Sequence, residues 1–195
     1  LRRAAQLLPD TNDDPWLLPN YLPMAPEPVC LLRELGRGKF GQARLVKLEN
    51  KARAVSKTYH SDKPMTVQAG LYELVGLLAA HGHPNVNRLL GIVNRADRIL
   101  KGDVEFIVEF AEHGSLDNVL SCDNPLRKVL LSDSTCLLSI AQDVARGLAH
   151  LHSRGLLHRD LGLRNIFLNA RGRAIIGDFG LARFVDEKSG DYPLT

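Results

Sequence analysis

The run Gly36-Arg37-Gly38-Lys39-Phe40-Gly41 is a G-x-G-x-x-G, and the residues after it limit the fold more than any other part of the chain. In a dinucleotide-binding unit such glycines open a helix. Here they lead into Gln42-Ala43-Arg44-Leu45-Val46-Lys47-Leu48, which alternates as a strand does. The glycines therefore belong to a turn between two strands over 31–48, where backbone N–H groups can approach phosphate oxygens with no side chain in the way. A Walker A loop is excluded, because no Gly-Lys-Ser/Thr occurs.

The pattern around this hairpin predicts a small sheet with one helix. Residues 52–59 read as a third strand carrying Lys57, and 86–93 and 104–110 as two more. Thr66 is placed to cap a helix over 67–80 with Leu71, Leu74, Val75 and Leu78 on one face and Glu73 along it, ended by Gly82 and Pro84. After His113-Gly114 the character turns helical. A short helix is expected over 115–120 and a long amphipathic one over 134–152, with Leu137, Ala141, Val144, Ala145, Leu148 and Leu151 as its apolar marks and Gly155 as its stop. Two short strands, over 165–168 and 174–176, complete an α+β chain.

Composition narrows the function classes. With 45% hydrophobic and 24% charged residues, the 195-residue chain can bury a core in one or two lobes. Its net charge of +3 gives no general attraction for nucleic acid or membrane, so an anion must be caught by local arrangement. Cys30, Cys122 and Cys136 show no C-x-x-C spacing, which argues against a disulfide framework or a zinc site and favours a reducing cytosol. His81 and His83 read as a polar turn. No apolar run reaches the ~20 residues of a membrane span. The first residue is not methionine and the last ones follow an apparent loop, which suggests a piece of a longer protein.

Three polar clusters carry the chemistry: Lys57 with Glu73, His158-Arg159-Asp160-Leu161-Gly162-Leu163-Arg164-Asn165, and Asp178-Phe179-Gly180. Phosphoryl transfer needs a carboxylate to take the hydroxyl proton, oxygen ligands for magnesium, and cations for the spread charge. Asp160, the pair Asn165 and Asp178, and Lys57 supply these in turn.

The order and spacing of these motifs resemble the eukaryotic protein kinase family from about residue 31 to the end of the chain. The resemblance implies a bilobal α+β fold: a proline-rich, juxtamembrane-like lead-in over 1–28, an N-lobe of antiparallel sheet and one helix with its hinge over 29–111, and a mainly helical partial C-lobe over 112–195. It implies Asp160 as catalytic base with Arg164 beside it, Asn165 and Asp178 as magnesium ligands, and Lys57 bridging the phosphates of ATP to Glu73. The nucleotide would be enclosed by Leu35, Gly36, Arg37, Gly38, Lys39, Phe40, Gly41, Ala43, Val55, Lys57, Glu109, Ala111 and Phe167, with Val108 as gatekeeper. Leu77, Leu89, His158 and Phe179 match a stacked regulatory column.

Three positions depart from the usual pattern. Ala43 stands where valine is common, Val55 where alanine is, and Phe167 where leucine is, which reshapes the adenine pocket and implies a modified nucleotide affinity. At the acceptor side, Gly162 replaces the lysine usual in serine/threonine kinases and Arg164 matches the arginine of tyrosine kinases, so the implied substrate is protein tyrosine. Ile107-Val108-Glu109-Phe110-Ala111 and Asp14-Pro15-Trp16 with Pro19 resemble receptor kinases of the fibroblast and platelet-derived growth factor types. A parent receptor would then be membrane-anchored, with this part cytoplasmic. Tyr192 falls where a regulatory phosphate could pair with Arg159. No Ala-Pro-Glu segment follows, so two alternatives stay open: a non-catalytic, nucleotide-binding kinase fragment, and a serine/threonine kinase of tyrosine-kinase-like type.

Overall fold

The computed structural model describes residues 25, 28–37, 41–60, 64–93, 102–121 and 124–185. The chain divides into two compact units, Leu1–Ala79 with Arg88–Phe110, and Ala80–Asn87 with Ala111–Thr195.

In the first unit β1 (Pro28–Arg37), β2 (Gln42–Leu48), β3 (Arg53–Tyr59), β4 (Leu89–Ile92) and β5 (Val104–Glu109) form one antiparallel sheet in the order β1-β2-β3-β5-β4. Alternation gives each central strand two working faces. One face buries Val46, Leu48, Ala54 and Ile107, joined by Val93. The opposite face carries Leu45, Val55, Lys57, Tyr59, Phe106 and Val108, and the helix α1 (Pro64–Ala79) packs against β3 and β5. This helix starts two residues before the expected cap, and Thr66 lies inside it, buried. It is also turned from the expected face: Leu71 is 40% exposed, whereas Gly70, Glu73, Leu74 and Leu77 are buried. A buried carboxylate, not the leucine stripe, sets that rotation.

The second unit is mainly helical. It contains β6 (Gly114–Ser115), α2 (Leu116–Leu120), α3 (Leu126–Ser132), α4 (Ser134–Ser153), β7 (Leu156–Leu157), a 3-10 turn (Leu163–Asn165), β8 (Ile166–Leu168), β9 (Ala174–Ile176) and β10 (Arg183–Phe184). The strands form a three-stranded sheet β6-β8-β9 and a two-stranded ribbon β10-β7. Ser115 caps α2 by accepting the Asn118 N–H at 3.3 Å, and Asp133 caps α4 by accepting the Thr135 N–H at 2.8 Å. Gly155, at φ 64, closes α4 and donates its N–H to the His152 carbonyl at 2.9 Å. Its core joins Leu116, Val119, Ile140, Ile166, Leu168 and Ala174.

Helix α4 departs from the expected face in an instructive way. Its buried residues are Ile140, Asp143, Gly147 and Leu151, while Leu137, Ala141 and Ala145 are exposed. Gly147 is needed where α4 crosses residues 85 and 176, since a Cβ there would lie 2.8 Å from the Asn85 carbonyl oxygen and from Ile176 Cδ1. Helix α3 has no counterpart in the sequence reading: it spans only seven residues, and although Leu126 and Leu130 pack against the core, none of its residues is fully buried.

Candidate functional site

Strand register brings together the candidate residues of the first unit. Ala43 stands opposite Lys57, Leu45 opposite Val55, and Val55 opposite Val108, so Ala43, Val55, Lys57 and Val108 share one sheet face. Gly36 and Arg37 pair with Ala43 and Gln42 at the turn end of the hairpin, and Leu35 is exposed beside them. Gly38, Lys39 and Phe40 lie outside the described residues. The Lys57 ammonium forms an ion pair with Glu73 Oε1, and Glu73 is only 1% exposed. The two residues named together from the sequence are thus brought into contact by α1. Glu109 donates its backbone N–H to the Arg88 carbonyl at 2.9 Å, and its carboxylate approaches Arg88 Nε at 3.4 Å. Leu77 and Leu89 are buried in this unit.

In the second unit the loop before β8 holds its carboxylate from two sides. Asp160 Oδ1 accepts from Arg164, and Asp160 Oδ2 accepts from Asn165 Nδ2 at 2.9 Å. The same amide nitrogen donates to the Asp160 carbonyl at 2.7 Å, which leaves the amide oxygen as the end of Asn165 that can bind a hard cation. His158 links this loop to Asp178-Phe179-Gly180. Its Nε2 donates to the Gly177 carbonyl at 3.0 Å, its Nδ1 accepts the Asp160 N–H at 3.3 Å, and its ring meets that of Phe179 at 5.2 Å. Those two bonds assign the donor role to Nε2 and the acceptor role to Nδ1. The Gly177 N–H donates in turn to the Asn165 carbonyl at 2.9 Å.

Arg159 and Asp178 both adopt φ 63, a left-handed conformation that costs a non-glycine residue energy and marks functional segments. Asp178 is exposed, Phe179 fully buried. A carboxylate and an amide oxygen suit magnesium, which takes oxygen ligands. Phe167 is half-buried on β8 against Gly177, where a Cβ would come within 3.0 Å of its ring. Ala111 is buried, and its carbonyl accepts the Gly114 N–H at 3.1 Å. Tyr192 lies outside the described residues.

Two features escaped the sequence reading. Asp143, fully buried on α4, accepts from Arg173 Nε at 2.7 Å and Nη2 at 2.5 Å and from the Ala174 N–H at 3.1 Å. Burial pushes its carboxyl up, yet the Arg173 and Ala174 hydrogen bonds, the Arg173 charge and Asn85 leave it below the ordinary carboxylate range. The sequence carried no signal for it, because Asp143 lies off the stripe of Leu137, Ala141, Val144, Ala145, Leu148 and Leu151 and reads as solvent-facing. The second feature is Tyr59, whose hydroxyl donates to Glu73 Oε2. The His81–His83 turn is polar as expected, with the His83 ring stacked on His150 at 4.8 Å and its Nδ1 accepting the Asn85 N–H at 3.1 Å.

Comparison with known proteins matches residues 29–193 to the protein tyrosine and serine/threonine kinase family. The chain belongs to the protein kinase family. Its α+β architecture, with a five-stranded antiparallel sheet and one helix in one unit and a mainly helical second unit, is the fold that membership requires. Among curated relatives, the discoidin domain-containing receptor tyrosine kinase B of Caenorhabditis elegans is 32% identical over 80% of this chain and 18% of its own length. Ephrin type-B receptor 3 of Danio rerio is 29% identical over 83% of this chain and 31% of that protein. A probable serine/threonine-protein kinase of Dictyostelium discoideum is 30% identical over 80% of this chain and 30% of that protein. The chain thus spans about a fifth to a third of the length of these relatives. Kinases of this family use ATP and magnesium and act on protein.

Proposed function

We propose that this kinase domain serves a protein-tyrosine kinase, transferring the γ-phosphoryl group of ATP to tyrosine hydroxyls. The observation that carries the reading is the pair of donors on Asp160: Arg164 and Asn165 each hold one carboxylate oxygen, and Gly162 supplies no lysine to an acceptor hydroxyl. A carboxylate fixed in this way is oriented to receive a hydroxyl proton while its remaining lone pairs stay available. Lys57, aligned by Glu73, offers its charge to phosphate oxygens. Backbone groups of residues 36–41, 109 and 111, with the side chains of Leu35, Ala43, Val55 and Phe167, would bind the nucleotide. Asn165 and Asp178 would hold magnesium, which when bound neutralises charge on the phosphates.

The discoidin- and ephrin-type relatives support the receptor-tyrosine-kinase branch, and the hinge residues Ile107 to Ala111 support likeness to fibroblast and platelet-derived growth factor receptors. A cytoplasmic position on a membrane-anchored parent follows from that branch. The second reading, serine/threonine specificity, draws on the Dictyostelium relative. Matched tyrosine and serine peptides, offered with Mg·ATP to the full protein that contains this chain, separate the two. Tyrosine incorporation that vanishes in Asp160→Asn is expected. Equal incorporation into serine would overturn the tyrosine assignment, and no incorporation above the Asp160→Asn background would favour a non-catalytic nucleotide binder.

A further inference from the structure

We infer that Tyr59 is a positioning residue for the phosphate-binding lysine, acting through Glu73, and that Gly41 and Gly70 make room for its ring. The inference rests on the phosphate role proposed above for Lys57.

Lys57 and Tyr59 stand two apart on β3, so both side chains leave the same face of the sheet. They meet the two oxygens of one carboxylate: Lys57 Nζ donates to Glu73 Oε1 and the Tyr59 hydroxyl to Glu73 Oε2. A carboxylate held at one oxygen can still turn about its terminal bond. Held at both, from one strand, it fixes its own plane and the rotation of α1 behind it. That explains why α1 presents Glu73 rather than Leu71 to the sheet.

The ring is seated as firmly as the hydroxyl. Tyr59 is buried and lies nearly parallel to Phe106, with centroids 5.9 Å apart and planes at 19°. A Cβ at Gly70 would fall 2.5 Å from Tyr59 Cγ and 2.9 Å from its Cβ, and one at Gly41 would fall 2.9 Å from its Cε1. Neither glycine has a positive φ. Their backbone conformations would accept any residue, and glycine inside a helix is unfavourable. At Gly70 the space taken by the Tyr59 ring is what excludes a side chain, and at Gly41 the ring shares that role with the Thr58 carbonyl oxygen, also 2.9 Å away. Gly41 therefore serves the ring as well as the turn that precedes β2, and the tyrosine packs its ring beside the end of the glycine-rich hairpin while its hydroxyl ties β3 to the carboxylate on α1.

Tyr59→Phe keeps the ring and removes the donor. Measured calorimetrically on this chain, its affinity for Mg·ATP should fall roughly tenfold, the scale of a lost hydrogen bond to a charged group. Its affinity for adenosine, which has no phosphates, should stay within about twofold. A merely structural role would move both ligands together or neither, and either result overturns the inference. Lys57→Met is the control for the underlying reading. It should show the same phosphate-selective loss, and adding Tyr59→Phe to it should cost nothing further. If Lys57→Met leaves Mg·ATP affinity intact, the lysine's phosphate role fails. If Lys57→Met weakens Mg·ATP but Tyr59→Phe matches the unmodified chain, the role of Tyr59 alone fails. Should Tyr59→Phe not fold, Tyr59→Leu removes the hydroxyl with a smaller side chain and leaves Gly70 in place. It should bind adenosine normally and Mg·ATP weakly, and normal binding of both would refute the inference.

Discussion

Lys57 carries its ammonium on a flexible four-carbon stem, and the Glu73 carboxylate fixes where that stem ends. Removing the charge should lower turnover of the full protein at least tenfold, about 1.4 kcal/mol or more of lost transition-state stabilisation. Initial rates for Lys57→Met measure this directly, and full activity would contradict the assignment. Acceptor choice is also set residue by residue. Gly162 is extended, at φ −163 and ψ 170, and a Cβ there would meet Arg164 Nη1 at 3.6 Å, an ordinary contact. Gly162→Lys should therefore fold normally and place an ammonium near Asp160. We expect the ratio of serine to tyrosine incorporation to rise, on the order of threefold, and an unchanged ratio would show that Gly162 does not set the preference.

At the scale of elements, the readable parts of the fold were short strands and the loops beside them. Strand β3 keeps close to a period of two, β2 and β5 are short extended runs that bury residues on both faces, and the polar motifs sit in short loops fixed by neighbouring strands, so the hairpin, the Lys57–Glu73 pairing and the Asp160 loop were legible from sequence. The faces of α1 and α4 were not. In both helices a buried carboxylate with its own partners, Glu73 or Asp143, and a glycine at a close crossing, Gly70 or Gly147, override the leucine stripe. Acidic residues and glycines read as solvent-facing until the donors that meet them are known. Gly147 gives a test of sign. Alanine in place of a helix glycine ordinarily stabilises by about 1 kcal/mol. Here its Cβ would press on the Asn85 backbone oxygen, which cannot swing away, and overpacking of this kind costs about 1–3 kcal/mol. Gly147→Ala should lower Tm by a few degrees, and a rise would show that α4 can move off residues 85 and 176.

For the whole molecule, four titrating groups of the second unit are perturbed: His83, Asp133, Asp143 and Arg173. Partial burial and the neighbouring His150 hold His83 below its ordinary value of 6.5, so the folded chain favours the neutral ring. A depressed folded pKa contributes stability that is complete above the unfolded value and is lost as pH falls through 6.5 toward the folded one. Asp143 has the same sign in a lower window: its hydrogen bonds with Arg173 and Ala174 stabilise the fold above the ordinary carboxylate value of 3.8 and fail as pH drops below it. Arg173 is shifted upward, so its contribution is present throughout the accessible range. Stability should therefore decline in two steps on acidification, first below about pH 6.5 and then below about pH 4. His83→Asn retains an acceptor for the Asn85 N–H and removes the titration. Urea midpoints at pH 7, 6 and 5 should fall less steeply in that variant than in the unmodified chain, and an identical slope would show that His83 is not the group responsible. Because both groups lie in the second unit, hydrogen exchange at pH 5.5 should show amides of α4 losing protection before those of β2 and β3. The reverse order would place the acid-sensitive contacts in the sheet that carries Lys57.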